Sequence, residues 1–109
     1  MLENDIKTKI KEHSIDEHPN ECCGLVLSDG KREWIHKCKN IAKDKKNNFD
    51  ICPIDYIEAT KIGKIKAYYH SHPDNNYELS DMDKKVSLFN ELKLIMYCVG
   101  KDRFLEHNE

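Results

Sequence analysis

A chain of 109 residues, 39% hydrophobic and 35% charged, has the size and composition of one globular domain with its own core. A net charge of −2 does not give the basic face of a nucleic-acid binder, and no apolar run approaches the roughly 20 residues that cross a bilayer, so neither nucleic acid nor a membrane span is expected. The polar start Met1-Leu2-Glu3-Asn4-Asp5 does not read as a secretory leader, which makes the cytoplasm the expected compartment.

In chain order, Leu2, Ile6, Ile10 and His13 recur at steps of three and four, predicting a helix from Leu2 to about His18 that Pro19-Asn20 closes. Cys22 to Leu27 predicts a short apolar strand. Asp29-Gly30 predicts a hairpin, with Lys31 to Lys37 returning antiparallel and carrying Trp34. Lys39 to Asn48 reads as a solvated, lysine-rich connection, and Phe49 to Ile51 as a brief strand. Pro53 suits the first position of a helix that runs through Ile54, Ile57 and Ile62 and stops at Gly63. Ile65 to His72 predicts the next strand. Ser80 then opens a helix whose apolar side is Met82, Val86, Phe89 and Leu92. Leu94 to Val99 predicts a further strand, and Gly100-Lys101-Asp102 turns into Arg103 to Leu105, which pairs back. This order predicts an α/β (α+β) sandwich on a mixed sheet, one domain over residues 1–109 without repeat or linker. The five cysteines, Cys22, Cys23, Cys38, Cys52 and Cys98, are odd in number and form no C-x-x-C pair. They read as buried free thiols in strands rather than as a disulfide framework, a zinc ribbon or a redox pair.

The chemistry concentrates in His70-Ser71-His72-Pro73 and Ser80-Asp81-Met82-Asp83. Strand side chains alternate faces, so His70 and His72 project from the same side and suit two nitrogen ligands of one metal. Asp83, one turn into the helix that Ser80 opens, can reach back as a carboxylate ligand. Two histidines and one aspartate leave the fourth position of a tetrahedral zinc (Zn2+) site to water, whose pKa falls to about 7. Glu21, at the mouth of the Cys22–Leu27 strand, is the candidate base that takes the water's proton and passes it to a leaving amine. Ser80 is the candidate donor to the oxyanion of a tetrahedral intermediate. Each piece has a plainer reading. Ser80 with Asp83 also describes a helix cap and an acid in the first turn. Two of six histidines can fall at i, i+2 without purpose. His13, His18, His36 and His107 lack that spacing and read as surface residues. The conjunction, rather than any member, favours a metal site.

That conjunction resembles the JAMM (MPN+, Mov34/JAB1) metallopeptidase signature: an upstream glutamate, His-x-His-Pro, seven residues from that proline to a serine, then Ser-x-x-Asp. The elements stand here as Glu21, His70, His72, Pro73, Ser80 and Asp83. Pro19-Asn20-Glu21-Cys22-Cys23-Gly24-Leu25-Val26 looks like the family's opening strand. Asn40-Ile41-Ala42, Asn48-Phe49-Asp50-Ile51 and Asp55-Tyr56 look like the stretch of prokaryotic members, in particular the N-terminal JAMM domain of tail-assembly peptidases from lambda-like phages. The resemblance runs from about Leu2 to Val99. It implies a curved mixed β-sheet flanked by helices, a JAMM/cytidine-deaminase-like sandwich. It implies His70, His72 and Asp83 as zinc ligands, Glu21 as general base and acid, and Ser80 as oxyanion stabiliser, in hydrolysis of a peptide or isopeptide bond of a protein or peptide substrate. Phage tail proteins are the partners implied first, and a ubiquitin-like or sulfur-carrier protein with a processed C-terminus second. A non-catalytic MPN-type assembly module is the alternative. The chain is short beside the family and has no room for the insertions with which polyubiquitin-cleaving relatives grip substrate, which argues against a dedicated deubiquitinase. No NlpC/P60-type cysteine-peptidase domain, frequent in phage relatives, follows Glu109, so a single-domain member or a truncated chain is expected. The bulky Tyr77-Glu78-Leu79 is expected to narrow the cleft.

Overall fold

The computed structural model describes residues 4–79 and 92–107. In chain order they form α1 (Asn4–Glu17), β1 (Cys23–Ser28), β2 (Glu33–Cys38), α2 (Pro53–Ile62), β3 (Lys64–His72), β4 (Lys93–Cys98) and β5 (Arg103–His107). The strands make one sheet in the order β2-β1-β3-β4-β5. β1 pairs antiparallel with β2 and β3, β3 runs parallel to β4, and β4 pairs antiparallel with β5. This is the expected mixed sheet with helices. The helix predicted from Ser80, and with it Asp83, lies outside the described residues.

Local chemistry accounts for most boundaries. The Asp29 carboxylate accepts the N–H groups of Lys31 and Arg32 at 2.9 Å each, and Gly30 adopts φ +93°, a left-handed conformation that glycine takes without strain. The hairpin loop is therefore longer than two residues, and β2 begins at Glu33. Pro53 opens α2, and the Gly63 N–H closes it on the Ala59 carbonyl at 3.2 Å. One expectation needs correction. Phe49–Ile51 is not a strand but supplies one isolated bridge, Asn40↔Ile51, because the Asp50 N–H is taken by the Asn40 side chain at 3.0 Å. The isoleucines of α2 do not face the core: Ile54, Ile57 and Ile62 are 67%, 53% and 55% exposed, and Ala59 is the buried position.

The core has two halves because β3 alternates. Ala67 and Tyr69 pack with Ile6 and Ile10 of α1, Val26 of β1, and Ile95 and Tyr97 of β4. Tyr68 packs on the other face with Ala59 of α2, Leu25 and Leu27 of β1 and Leu94 of β4. Cys22 belongs to the first half and Cys23 to the second, so the adjacent thiols point to opposite faces. All five cysteines are free. Burial pushes the Cys38 thiol up to about 12, which suits packing rather than thiol chemistry. Gly24 and Tyr69 are partners across β1 and β3, and a Cβ on Gly24 would overlap the tyrosine ring.

His13 departs from the surface reading. It is 5% exposed, and its Nδ1 lies 2.7 Å from the Tyr69 hydroxyl. Its place three residues after Ile10 puts it on the buried stripe of α1, and the phenol satisfies its ring. Burial, followed by the nearby Lys37, lowers its pKa to about 4 against a weaker raising by Asp16. Between pH 6.5 and 4 the unfolded chain therefore takes up a proton that folded His13 refuses, so stability is full above about pH 6.5 and declines as pH falls. Urea unfolding at steps from pH 7 to 4 should show the parent losing more stability than His13→Gln, by up to roughly 3 kcal/mol. Parallel curves would show that His13 titrates as an exposed histidine.

Candidate metal centre

His70 and His72 end β3 on the α2 face, with exposures of 0% and 6%. Their Nε2 atoms converge to 3.3 Å. His72 Nδ1 lies 3.0 Å from the Asn76 carbonyl, which can only accept, so this nitrogen carries the hydrogen and Nε2 offers its lone pair to the centre. Turns in the following loop set that carbonyl in place. Asp74 Oδ1 accepts the Asn76 N–H at 2.9 Å, and Asn76 Oδ1 accepts the Glu78 N–H at 3.1 Å. The loop is tied to the end of β4 through Val99 N–H to His72 O and Gly100 N–H to Asp74 O, both 2.9 Å. Phe49 stacks on the His70 ring at 4.5 Å between centroids and 22° between planes, holding the ring's orientation.

Glu21 lies two residues before β1 and is 4% exposed. Its backbone is held from both sides. The Glu21 N–H donates to Lys45 O at 2.7 Å, and Asn40 Nδ2 donates to Glu21 O at 2.9 Å. Next in the chain, the Cys22 N–H donates to Ser71 Oγ at 2.9 Å and the Ser71 N–H to Cys22 O at 3.1 Å. Ligand atoms of Glu21, His70 and His72 consequently lie within 4.8 Å of one another. Nitrogen ligands at about 2.0–2.1 Å in tetrahedral geometry stand about 3.3 Å apart, the spacing of the two histidines. Two imidazoles and a carboxylate are a donor set that suits zinc. At this separation the carboxylate either joins the histidines on an ion or reaches a water held between them. The structure thus gathers three of the five predicted site residues; Ser80 and Asp83 lie outside the described residues.

Sequence reasoning missed the supporting residues. The connection from Lys39 to Asn48 is exposed at Lys43, Lys45 and Lys46 as expected, yet it is also a clamp. The Asn40 amide uses its full capacity: Nδ2 reaches Glu21 O and Asn48 O, and Oδ1 accepts the N–H groups of Ala42 and Asp50, all at 2.9–3.0 Å. Similarity of the Asn40-Ile41-Ala42 stretch marked the place but not this role. Tyr77 was expected to narrow the cleft. Instead its hydroxyl donates to Phe104 O at 2.7 Å and Arg103 lies over its ring at 4.8 Å, which commits it to β5.

Residues 3–107 match the family of prokaryotic homologs of the JAB domain. The chain is 36% identical over 75 residues to the tail tip assembly protein K of Escherichia phage N15, a match covering 69% of this chain and 31% of that protein. The chain therefore spans less than a third of that relative's length. Among solved structures, a Desulfitobacterium hafniense protein superposes with a TM-score of 0.72 at 20% identity, covering 96% of this chain and 87% of the other. A JAB1/MPN domain protein from Archaeoglobus fulgidus gives 0.57 at 21%, covering 94% and 83%. These two likenesses show a shared fold.

The clamp generates a prediction. Asn40→Ala removes four hydrogen bonds made by a half-buried side chain and should lower stability by about 1–3 kcal/mol in urea unfolding. Hydrogen exchange of the Glu21 amide should accelerate with it. Asn40→Asp keeps both accepted bonds and should fall between. Unchanged protection at Glu21 would remove Asn40 from the support of the site.

Proposed function

Since the chain belongs to the family of prokaryotic homologs of the JAB domain, we propose that it is a zinc metallopeptidase hydrolysing a peptide or isopeptide bond with a metal-activated water. The observation that carries this reading is the convergence of the buried Glu21, His70 and His72 on one point. The donor set, the 3.3 Å nitrogen spacing and the tautomer set by Asn76 all fit zinc. His70, His72 and Asp83 would hold the ion, which when bound supplies an acidified water and polarises the scissile carbonyl. The Glu21 carboxylate takes the proton of the attacking water and returns it to the leaving nitrogen, so that the amine departs neutral. The backbone bonds around Glu21 and Cys22 hold that carboxylate in place, and the Phe49 ring shields one face of His70. Ser80 donates to the oxyanion.

The match to a tail tip assembly protein favours a protein of an assembling phage tail as substrate, with the host cytoplasm as the place of action. No helix of the described residues is long and apolar enough to cross a membrane. The alternative of a non-catalytic assembly module separates from this reading by turnover.

Metal analysis of protein purified without added zinc, together with digestion of a peptide library read by mass spectrometry, tests the assignment. The parent should carry close to one zinc and cleave. Glu21→Gln should keep the metal and lose roughly 100-fold or more in rate, because it removes a proton carrier. His72→Ala should lose most of the metal. Undiminished turnover in Glu21→Gln overturns the base, and a full metal complement in His72→Ala overturns the ligand set. A zinc-loaded parent that cleaves nothing supports the assembly module.

A further inference from the structure

The α2 face of β3 carries more than the two histidines. Tyr68, His70 and His72 alternate along the strand, so Tyr68 occupies the next same-face position, about 6.7 Å from His70 along the strand. Over Tyr68 lies a pocket of about 360 Å³, walled by Phe49, Ile51, Pro53, Tyr56 and Ile57. Phe49 belongs to both places: it stacks on His70 and lines this pocket. The Phe49 ring is therefore a wall shared by the pocket and the candidate centre. One of its walls is the helix whose isoleucines are turned to solvent, with Ile57 53% exposed at the lip. Core packing does not account for that exposure, since α2 is anchored through Ala59. Apolar residues gathered around a concavity beside polar chemistry are the usual composition of a ligand site.

We propose that this pocket is the specificity pocket of the centre and receives one large apolar side chain, aromatic or leucine-like, from a substrate residue one or two positions from the scissile bond. The inference rests on the peptidase reading and deepens it. An extended peptide advances about 3.3 Å per residue. With its scissile carbonyl at the histidines, a side chain one or two residues away reaches Tyr68. The volume is at the small end for binding pockets, which suits a single side chain rather than a helix. The lining rings of Phe49, Tyr56 and Tyr68 offer faces and edges to an aromatic guest. Asp50 is the charged member of the lining and is exposed, which disfavours an acidic guest. A lysine side chain, paired with Asp50, is the competing guest that the test separates.

The experiment uses the full chain loaded with zinc and has two arms. In the first, cut sites in a peptide library are scored by residue around the scissile bond. One position within two residues of the cut should favour Phe, Tyr, Leu or Met at least tenfold over Gly, Asp and Lys, and Ile57→Asp, at a half-exposed position, should erase that ratio with zinc content unchanged. In the second, N-acetyl-phenylalanine amide is titrated by NMR. It should saturate with shifts at Ile57 and Tyr68 that N-acetyl-glycine amide and N-acetyl-lysine amide do not produce, and that Ile57→Asp abolishes. Turnover without side-chain preference, a preference for lysine, or a ratio surviving Ile57→Asp overturns the pocket while the peptidase reading stands. Saturable binding without turnover overturns the peptidase reading while the pocket stands.

Discussion

The reciprocal pair of hydrogen bonds between Cys22 and Ser71 is the constraint on which the arrangement turns. Ser71 lies between the two histidines on β3, and it holds the Cys22 backbone with both its N–H and its hydroxyl. Because strand side chains alternate, this grip is made on the α1 face and leaves the α2 face to the imidazoles. Cys23 pairs with His70 across β1 and β3. Extending that register by one same-face pair sets Glu21 opposite His72. The carboxylate thus reaches the histidines through strand register, not through a chance approach of two loops. A slip of one residue would send Glu21 to the opposite face.

The last turns of β3 carry an unusual load. A central strand buried on both faces normally reads as an apolar run. Here Ala67 to His72 is buried throughout, yet it includes Tyr69, His70, Ser71 and His72. A buried polar group left unsatisfied costs about 1–3 kcal/mol, so polar residues survive there with partners in place. Tyr69 meets His13, Ser71 meets Cys22, and His72 meets Asn76. Each partner comes from a different segment: α1, the approach to β1, and the loop after β3. The polar content of the strand therefore ties three parts of the chain to the place where the chemistry is proposed.

What the sequence disclosed, and what it did not, follows the range of the forces involved. Period-two alternation placed His70 and His72 on one face, Asp29-Gly30 placed the hairpin, and Pro53 with Gly63 bounded α2. All of these act within a few residues. The spacing from Ile10 marked His13 as buried, but its polarity argued the other way until Tyr69, 56 residues on, satisfied it. Ile54, Ile57 and Ile62 have the look of a core-facing stripe, and only the tertiary structure shows the smaller Ala59 taking that place. Asn40 reaches Glu21 across 19 residues, and one asparagine in a polar loop carries no local sign of it. Phe49 over His70 is of the same kind.

The two faces of β3 divide the labour of the domain. On the α1 side, Ile6, Ile10, Val26, Tyr69, Ile95 and Tyr97 close a compact half-core, and Tyr69 fills the space above Gly24. A change there acts on the stability of the whole fold and reaches the site only through strand register. On the α2 side Leu25, Leu27, Tyr68 and Leu94 are buried as well, and among the described residues the cover over them is lighter: α2 buries a single alanine, and Phe49 and Tyr56 are only half-buried. A change at Phe49, which stacks on His70, alters the environment of the imidazoles directly. Proteins near 20% identity share the fold, so the pairing order of the strands withstands wide change in sequence. Sharing the sheet does not fix what lies over Tyr68, His70 and His72, where the chemistry of the site is decided.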